Sequence, residues 1–302
     1  MALHIVEPGL HTLLVDYGRP NSRSLGVPVG GAADRFALSI GNALVGNERD
    51  ACALEISLSG PTLRAEEDVA CVVYGAPFEL KSDRQKLRAA TTFTLHAGEE
   101  LRIKGTLLGL RCYFCVAGGL RSQTSLGSRS GLRPIDAGTE LSCSTAVISH
   151  RFVAGDFEWN REPLILRVTD GPQANWFNRH KLVGQELTVL PTSNRMGLRL
   201  KSAPLSIPDK ELTSEPVCPG SVQVTRDGQC IVIGVDGQTI GGYPKIAQVV
   251  TADLDKLGQL RPDDVVRFRS VTLAEAERLY RQKQRELKEW LTRLQTAELF
   301  AP

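Results

Sequence analysis

Ala53-Leu-Glu55-Ile-Ser-Leu58-Ser59-Gly60-Pro61-Thr-Leu-Arg-Ala-Glu-Glu-Asp-Val69-Ala-Cys71-Val-Val-Tyr74-Gly75-Ala-Pro77 decides the fold class. Two runs rich in apolar residues, 53–58 and 69–74, are each too short for a helix and each closed by Gly and Pro. Runs bounded in this way read as β-strands. The rhythm continues at residues 92–95 and 101–103, with a break at Ala97-Gly98. Regularly spaced short strands predict an antiparallel barrel or sandwich. Glu55, flanked by Leu54 and Ile56, is either on a solvent face or buried with a partner.

Outward toward the N-terminus, residues 3–6 and 11–15 read as strands separated by Pro8-Gly9. Next comes a glycine-rich loop, Leu25-Gly-Val-Pro-Val-Gly30-Gly31-Ala-Ala-Asp34, running into a helix expected over 34–44. Phe36, Ile40 and Leu44 recur at helical spacing, and Asp34 is available as the N-cap. A loop of small residues before a helix can hold an anion on unpaired N–H groups, or can simply be an ordinary capped start.

Toward the C-terminus, residues 110–117 read as a strand that contains Cys112-Tyr-Phe-Cys115. Residues three apart on a strand face opposite sides, so these sulfurs should diverge and form neither a redox pair nor a metal clasp. All seven cysteines fit reduced thiols used mostly as small apolar residues. Gly118-Gly119 and the run Thr124-Ser-Leu-Gly-Ser128-Arg129-Ser130-Gly131 combine hydroxyls, a guanidinium and glycines, a composition suited to a carboxylate or phosphate. Arg129 occupies the middle position where a nucleophile elbow needs Ser.

A polar stretch at 153–161 suggests a lobe boundary. The division expected is a first lobe over 1–155, a second over 156–271, and a helix and tail over 272–302. The densest chemistry of the second lobe is Gly234-Val-Asp236-Gly-Gln238-Thr-Ile-Gly241-Gly242-Tyr243-Pro-Lys245-Ile-Ala247, between apolar runs at 230–235 and 246–250. Thr272-Leu-Ala-Glu275 looks like a capping box opening a helix to about residue 297. Leu273, Tyr280, Leu287 and Leu294 recur every seven residues, while Lys283 interrupts the neighbouring line of Ala276 and Trp290.

The chain of 302 residues carries a formal charge of +2, with bases scattered among acids, so no nucleic-acid surface is advertised. No signal peptide or membrane-length apolar run is apparent, and a soluble, cytoplasmic protein without membrane association is the expectation.

Taken in order, Asp16-Tyr-Gly-Arg19, Gly26-Val-Pro, Gly31-Ala-x-Asp34-Arg-Phe, Asn42-Ala-Leu-Val-Gly-Asn47, Leu54-Glu55, Ala117-Gly-Gly119 and Leu126-Gly-Ser-Arg-Ser130 form a recognisable series. Gly171-Pro-Gln173, Arg195-Met-Gly197, Gly220-Ser-Val-Gln223-Val and Gln238-Thr-x-Gly-Gly-Tyr-Pro-Lys-Ile-Ala247 continue it. The chain resembles the allophanate hydrolase subunit 2 family over most of its length, to about Phe268. This family includes proteins like the C subunit of 5-oxoprolinase, KipA-like proteins and carboxyltransferase domains of urea carboxylases.

The resemblance implies a mainly β protein with cyclophilin-like β-barrel lobes, a few short helices and a C-terminal helix. It implies one part of an ATP-dependent 5-oxoprolinase-type hydrolase that opens 5-oxo-L-proline, a small cyclic amide, to glutamate. The implied partners are a KipI-like subunit 1 homologue and the LamB/YcsF-like A component of 5-oxoprolinase. A non-catalytic KipA-like regulatory protein, or a paralogue acting on another urea-like substrate, is the alternative.

No G-x-x-x-x-G-K-[ST] loop is present, so ATP would be used by the complex rather than held in a phosphate loop of this chain. Biotin would enter only if supplied by another protein, because Met1 and Met196 are the only methionines and no Met-Lys-Met site exists. No metal site is expected.

The implied catalytic groups are Asp34 and Asp236 for protons, with Tyr243 and Lys245 polarising a carbonyl. Substrate contacts fall to Glu55, Gly118, Gly119, Ser128, Arg129, Arg195, Gln223, Gln238, Gly241 and Gly242, with the two arginines as carboxylate anchors. Three positions depart from the family pattern, which commonly carries Gln, Ser and Asp where this chain has Val15, Gly30 and Asn194.

Overall fold

The computed structural model describes residues 2–153 and 164–298. The boundary expected over 153–161 lies outside the described residues from position 154 onward. The chain divides into two compact units, one comprising Met1–Gly18, Asp34–Trp159 and Leu287–Pro302, the other Arg19–Ala33 and Asn160–Glu286.

The first unit is built on two five-stranded sheets. One has the order Glu140–Ser142, Ala2–Glu7, Thr62–Ala65, Glu100–Ile103, Leu80–Ser82, and the other His11–Val15, Ala53–Ser57, Arg111–Val116, Val69–Gly75, Phe93–Leu95. Neighbouring strands within each sheet are antiparallel, and because the two sheets stay open and share one core rather than closing into a ring, the sandwich option is the one realised here.

Leu3, Ile5, Leu63 and Leu101 from one sheet and Leu54, Ile56, Val73, Cys112 and Phe114 from the other form its core. The second sheet is covered on its other face by the helix Arg35–Leu44, where Gly41 approaches Cys115 and Tyr74. Burial on both faces explains why residues 69–74 read as an unbroken apolar run rather than an alternation. Cys112 joins the core while Cys115 faces the helix, so the two sulfurs diverge as expected.

The second unit is a closed seven-stranded barrel in the order Leu164–Asp170, Lys245–Val249, Ser221–Val224, Cys230–Ile233, Gly197–Lys201, Glu186–Val189, Val265–Ser270. Its neighbours are antiparallel except at the closing seam, where Leu164–Asp170 runs parallel to Val265–Ser270. Leu166, Val168, Val222, Val224, Val232, Val266 and Phe268 belong to its apolar core. The glycine-rich stretch at 234–247 contains a further short strand, Ile240–Gly241, paired with Glu215–Pro216.

The C-terminal helix spans Leu273–Glu298. Thr272 Oγ1 accepts the Glu275 N–H at 3.1 Å, but the Glu275 carboxylate turns to Arg269 at 3.3 Å. The seven-residue line does not hold as a seam: Leu287 and Leu294 are buried, whereas Leu273 and Tyr280 are 79% and 42% exposed. A straight helix of 3.6 residues per turn drifts from a strict heptad line, and the docked stripe follows the drift. Ala276 and Leu279 pack on Val250, Ala252 and Val271. Lys283 does not interrupt this stripe, because its ammonium pairs with Asp255 at 2.5 Å and donates to the Ala252 carbonyl at 2.9 Å. No described helix is long and apolar enough to cross a membrane.

Candidate functional site

In the first unit Asp34 caps the helix Arg35–Leu44, its carboxylate accepting the Ala37 N–H at 2.9 Å. Its own N–H donates to the Tyr113 hydroxyl at 2.8 Å, and that hydroxyl donates to Glu55 Oε2 at 2.9 Å. Glu55 is fully buried, and Arg111 Nε donates to its other oxygen at 3.1 Å. Of the two environments open to Glu55, the structure adopts the buried, paired one. Burial, then the charges of Glu55 and Asp34, push the Tyr113 phenol well up, so it stays protonated and can keep donating.

Ser128 and Arg129 are organised by Asp16, which stands in the motif series but is not singled out by its own sequence context. The Asp16 carboxylate accepts from the Ser128 and Ser130 hydroxyls at 2.6 Å each, from Arg129 N–H at 2.6 Å and from Gly18 N–H at 2.7 Å. Burial pushes its pKa up, but the hydrogen bonds from Ser128, Ser130, Arg129 and Gly18 outweigh that and hold it below the ordinary value. Arg129 is thereby fixed by its backbone while its residue remains exposed. Gly118 and Gly119 do not offer open N–H groups, since the first donates to Asn47 Oδ1 at 2.7 Å and the second to the Val116 carbonyl at 2.9 Å.

In the second unit Arg195 and Asp236 come together. Arg195 Nε and NH2 grip the two carboxylate oxygens at 2.6 and 2.9 Å, and NH2 also reaches the Gly31 carbonyl at 2.7 Å. This guanidinium is committed to protein partners, which bears on its expected role as a substrate anchor.

Beside them Gly30 has φ +63° and donates to the Val235 carbonyl at 2.9 Å. A Cβ there would lie 3.1 Å from Arg19 NH1 and 3.7 Å from Asp236 Oδ1. The departure at Asn194 keeps the turn chemistry, because its Oδ1 accepts Met196 N–H at 2.9 Å, a task an Asp would also perform.

Lys245, Glu215 and Gln173 form the other polar knot of this unit. The buried Lys245 ammonium donates to Glu215 Oε2 at 2.7 Å, and Gln173 Nε2 donates to the same carboxylate at 3.1 and 3.2 Å. Gln173 Oε1 accepts the Lys245 N–H at 3.0 Å. The Lys245 bond, then the Gln173 bond, hold the Glu215 carboxyl below its ordinary value, so it is a carboxylate.

Gln223 is the cross-strand neighbour of Lys245, next to a register shift between Val222 and Gln223. Gln238 and Gly241 lie against it, whereas Gly242 and Tyr243 are exposed. Neither Glu215 nor Gln173 stands out in the sequence as a site residue. Gln173 lies in the Gly-Pro-Gln motif, but nothing in the mixed polar segment around Glu215 points to Lys245.

Comparison with known proteins agrees with this architecture. The model of the carboxyltransferase domain, subdomain A and B, matches residues 25–270. The chain is 32% identical over 294 residues to the C subunit of Haemophilus influenzae 5-oxoprolinase, covering 93% of this chain and 95% of that one. It is 33% identical over 308 residues to the C subunit of Escherichia coli 5-oxoprolinase, covering 97% and 98%. The crystal structure of TTHA0988 superposes with a TM-score of 0.81 at 33% identity, over 89% of this chain. This chain spans only 56% of the length of that one. With a family match over most of its length and relatives aligned nearly end to end, the chain belongs to the carboxyltransferase domain family, subdomain A and B.

Proposed function

We propose that this chain is the carboxyltransferase-family member of an ATP-dependent 5-oxoprolinase-type hydrolase complex, which opens the lactam of 5-oxo-L-proline to glutamate. The observation that carries the reading is the near end-to-end likeness to the C subunits of two 5-oxoprolinases. The partners in this reading are a KipI-like subunit 1 homologue and a LamB/YcsF-like A component, with ATP consumed by the complex in the cytoplasm. Biotin has no role in it unless another protein delivers it.

Lactam opening needs a proton acceptor, a cradle for the carbonyl and a grip on the substrate carboxylate. Asp236, steadied by Arg195, and Asp34 are the proton-handling candidates. Arg129, exposed on a loop fastened by Asp16, is the carboxylate anchor. Within the second unit, Lys245, a buried cation paired with Glu215, and the exposed Tyr243 are the candidates for polarising the carbonyl.

The test is purification of the chain with its two partner homologues from the same source, followed by an assay for 5-oxoproline-dependent release of glutamate and ADP. Turnover that requires this chain, and is lost in Asp236→Ala and Arg129→Ala, supports the reading. A stable complex without turnover on 5-oxoproline points instead to a regulatory binding protein.

A further inference from the structure

Two arginines of the first unit share one tyrosine ring. The guanidinium carbons of Arg35 and Arg49 lie 5.3 and 5.6 Å from the ring centroid of Tyr17, within cation–π range.

The ring and the first of these cations are locked to each other. Arg35 NH2 donates to the Tyr17 carbonyl at 2.7 Å, and the fully buried Ser39 hydroxyl donates to the Arg35 carbonyl at 2.6 Å. With its hydrogen used there, Ser39 Oγ accepts from the Tyr17 hydroxyl at 2.5 Å. Tyr17 is thus held at its backbone and at its hydroxyl, and the ring face is fixed between them. Arg35 is also the first residue of the helix Arg35–Leu44, the end where the macrodipole disfavours a cation, so helix stability does not account for its charge.

Arg49 is the open half of the arrangement. It is exposed, and although Glu48 and Asp50 flank it in sequence, its guanidinium has neither a carboxylate within ion-pair distance nor a hydrogen-bond acceptor among the described residues. Its loop is nevertheless fastened. Asn42 Nδ2 donates to the Arg49 carbonyl at 3.4 Å and to the Ala51 carbonyl at 2.8 Å, while Asn47 Nδ2 donates to Asn42 Oδ1 at 3.1 Å and to the Val116 carbonyl at 2.7 Å. A tethered backbone therefore presents a cation whose N–H donors are unspent, and such preorganisation favours binding.

Charge and shape select the ligand. Like charges gathered on one ring repel, a cost that a bound anion removes. Stacking occupies the face of a guanidinium and leaves its N–H edge for oxygens. One such edge already satisfies the two oxygens of a carboxylate, so a pair of guanidiniums fits a dianion with three oxygens to share, which is a phosphate group.

We propose that Arg49 and Arg35, stacked on Tyr17, bind the phosphate group of a small molecule, either inorganic phosphate or the terminal phosphate of a nucleotide. The site is distinct from the groups assigned to the lactam. It goes beyond the 5-oxoprolinase reading and stands whether or not the complex turns over 5-oxoproline.

The test is a titration of the isotopically labelled full chain at low ionic strength with inorganic phosphate, with ATP and with acetate. The Nε–H resonance of Arg49, assigned by its loss in Arg49→Gln, is the readout, and the heat of binding is measured in parallel. The expected result is a saturable shift with phosphate, half complete at roughly 1 mM, and a response to acetate about tenfold weaker. Arg49→Gln, at an exposed position, should weaken the heat-measured binding about tenfold, and Arg49→Lys should not restore it, because an ammonium lacks the planar fork. Tyr17→Leu, once its circular dichroism is shown to match the wild type, should weaken it several-fold.

ATP that binds more tightly than phosphate with the same Arg49 shift supports the proposal and identifies a nucleotide as the source, whereas phosphate that acts where ATP does not supports it with the free anion as the source. An Arg49 signal that ignores both, or answers acetate as strongly as phosphate, overturns the proposal. Phosphate binding undiminished in Arg49→Gln overturns it as well, since the anion then sits elsewhere on the chain.

Discussion

Arg195 holds Asp236 through both carboxylate oxygens, with the guanidinium side chain 8% exposed and the carboxylate 36% exposed. Such an arrangement is unequal, because removal of the anion strands a nearly buried cation. Asp236→Ala is therefore expected to lower stability by ~2 kcal/mol, the cost of breaking a buried pair discounted for the exposure of Asp236. Arg195→Lys should not restore the wild-type value, since an ammonium cannot supply the two-pronged grip. Urea denaturation midpoints of the two variants check the order.

Asp16 sets an acid limit on the first unit. Its folded pKa lies below the unfolded value, so its contribution to stability is fully present above the unfolded pKa and is lost as pH falls through the folded one. Thermal unfolding from pH 7 downward should show a stability loss beginning below about pH 4 in the wild type. Asp16→Asn should be destabilised by ~2 kcal/mol at pH 7 and show a flatter acid limb, because an amide keeps one acceptor and loses the charge.

Gly30 stands at a left-handed position facing Arg19 and Asp236. Gly30→Ala should cost about 1 kcal/mol for the positive φ, plus the displacement of the Arg19 guanidinium. Gly30→Ser should cost less than the alanine, because its hydroxyl can bond to the Asp236 carboxylate within reach. Equal losses in the two variants, measured by denaturant titration, would show that the space beside Asp236 does not accept a hydroxyl.

Arg151 joins two helix ends, its NH1 donating to the Leu44 carbonyl at 3.0 Å and its NH2 to the Leu294 carbonyl. Leu44 is the last residue of its helix, where the carbonyl lacks a helical partner, and Leu294 lies near the C-terminal end of its own, and a cation is favoured near such ends. Arg151→Ala should cost about 1 kcal/mol and speed hydrogen exchange at the amides of the terminal turns of the C-terminal helix. Unchanged protection there would mean that apolar packing of Leu287 and Leu294 holds the helix alone.

Local features of this chain are open to reading from sequence, and distant ones are not. Asp34 as an N-cap is legible because the cap carboxylate and the N–H it accepts, that of Ala37, sit three residues apart. The strands at 53–58 and 69–74 are legible because breakers enclose them. The opposite faces of Cys112 and Cys115 follow from strand geometry alone.

Asp16 and Ser128 lie 112 positions apart, and Lys245 and Glu215 lie 30 apart, so no local pattern announces either pair. The docking stripe of the C-terminal helix departs from its expected line for a different reason. Apolar spacing is visible, but which line turns inward depends on helical drift and on the ion pair that lets Lys283 join the contact.

The barrel's parallel seam has a consequence for biosynthesis. Its first strand, Leu164–Asp170, finds its parallel neighbour only in its last, Val265–Ser270, roughly a hundred residues later, and contacts so distant in sequence are slow to form. While the ribosome is still extending the chain, the ring has an open side with two unpaired strand edges, a template for association with other nascent chains. Chaperone contact during translation is therefore expected to persist until residue 270 has cleared the exit tunnel.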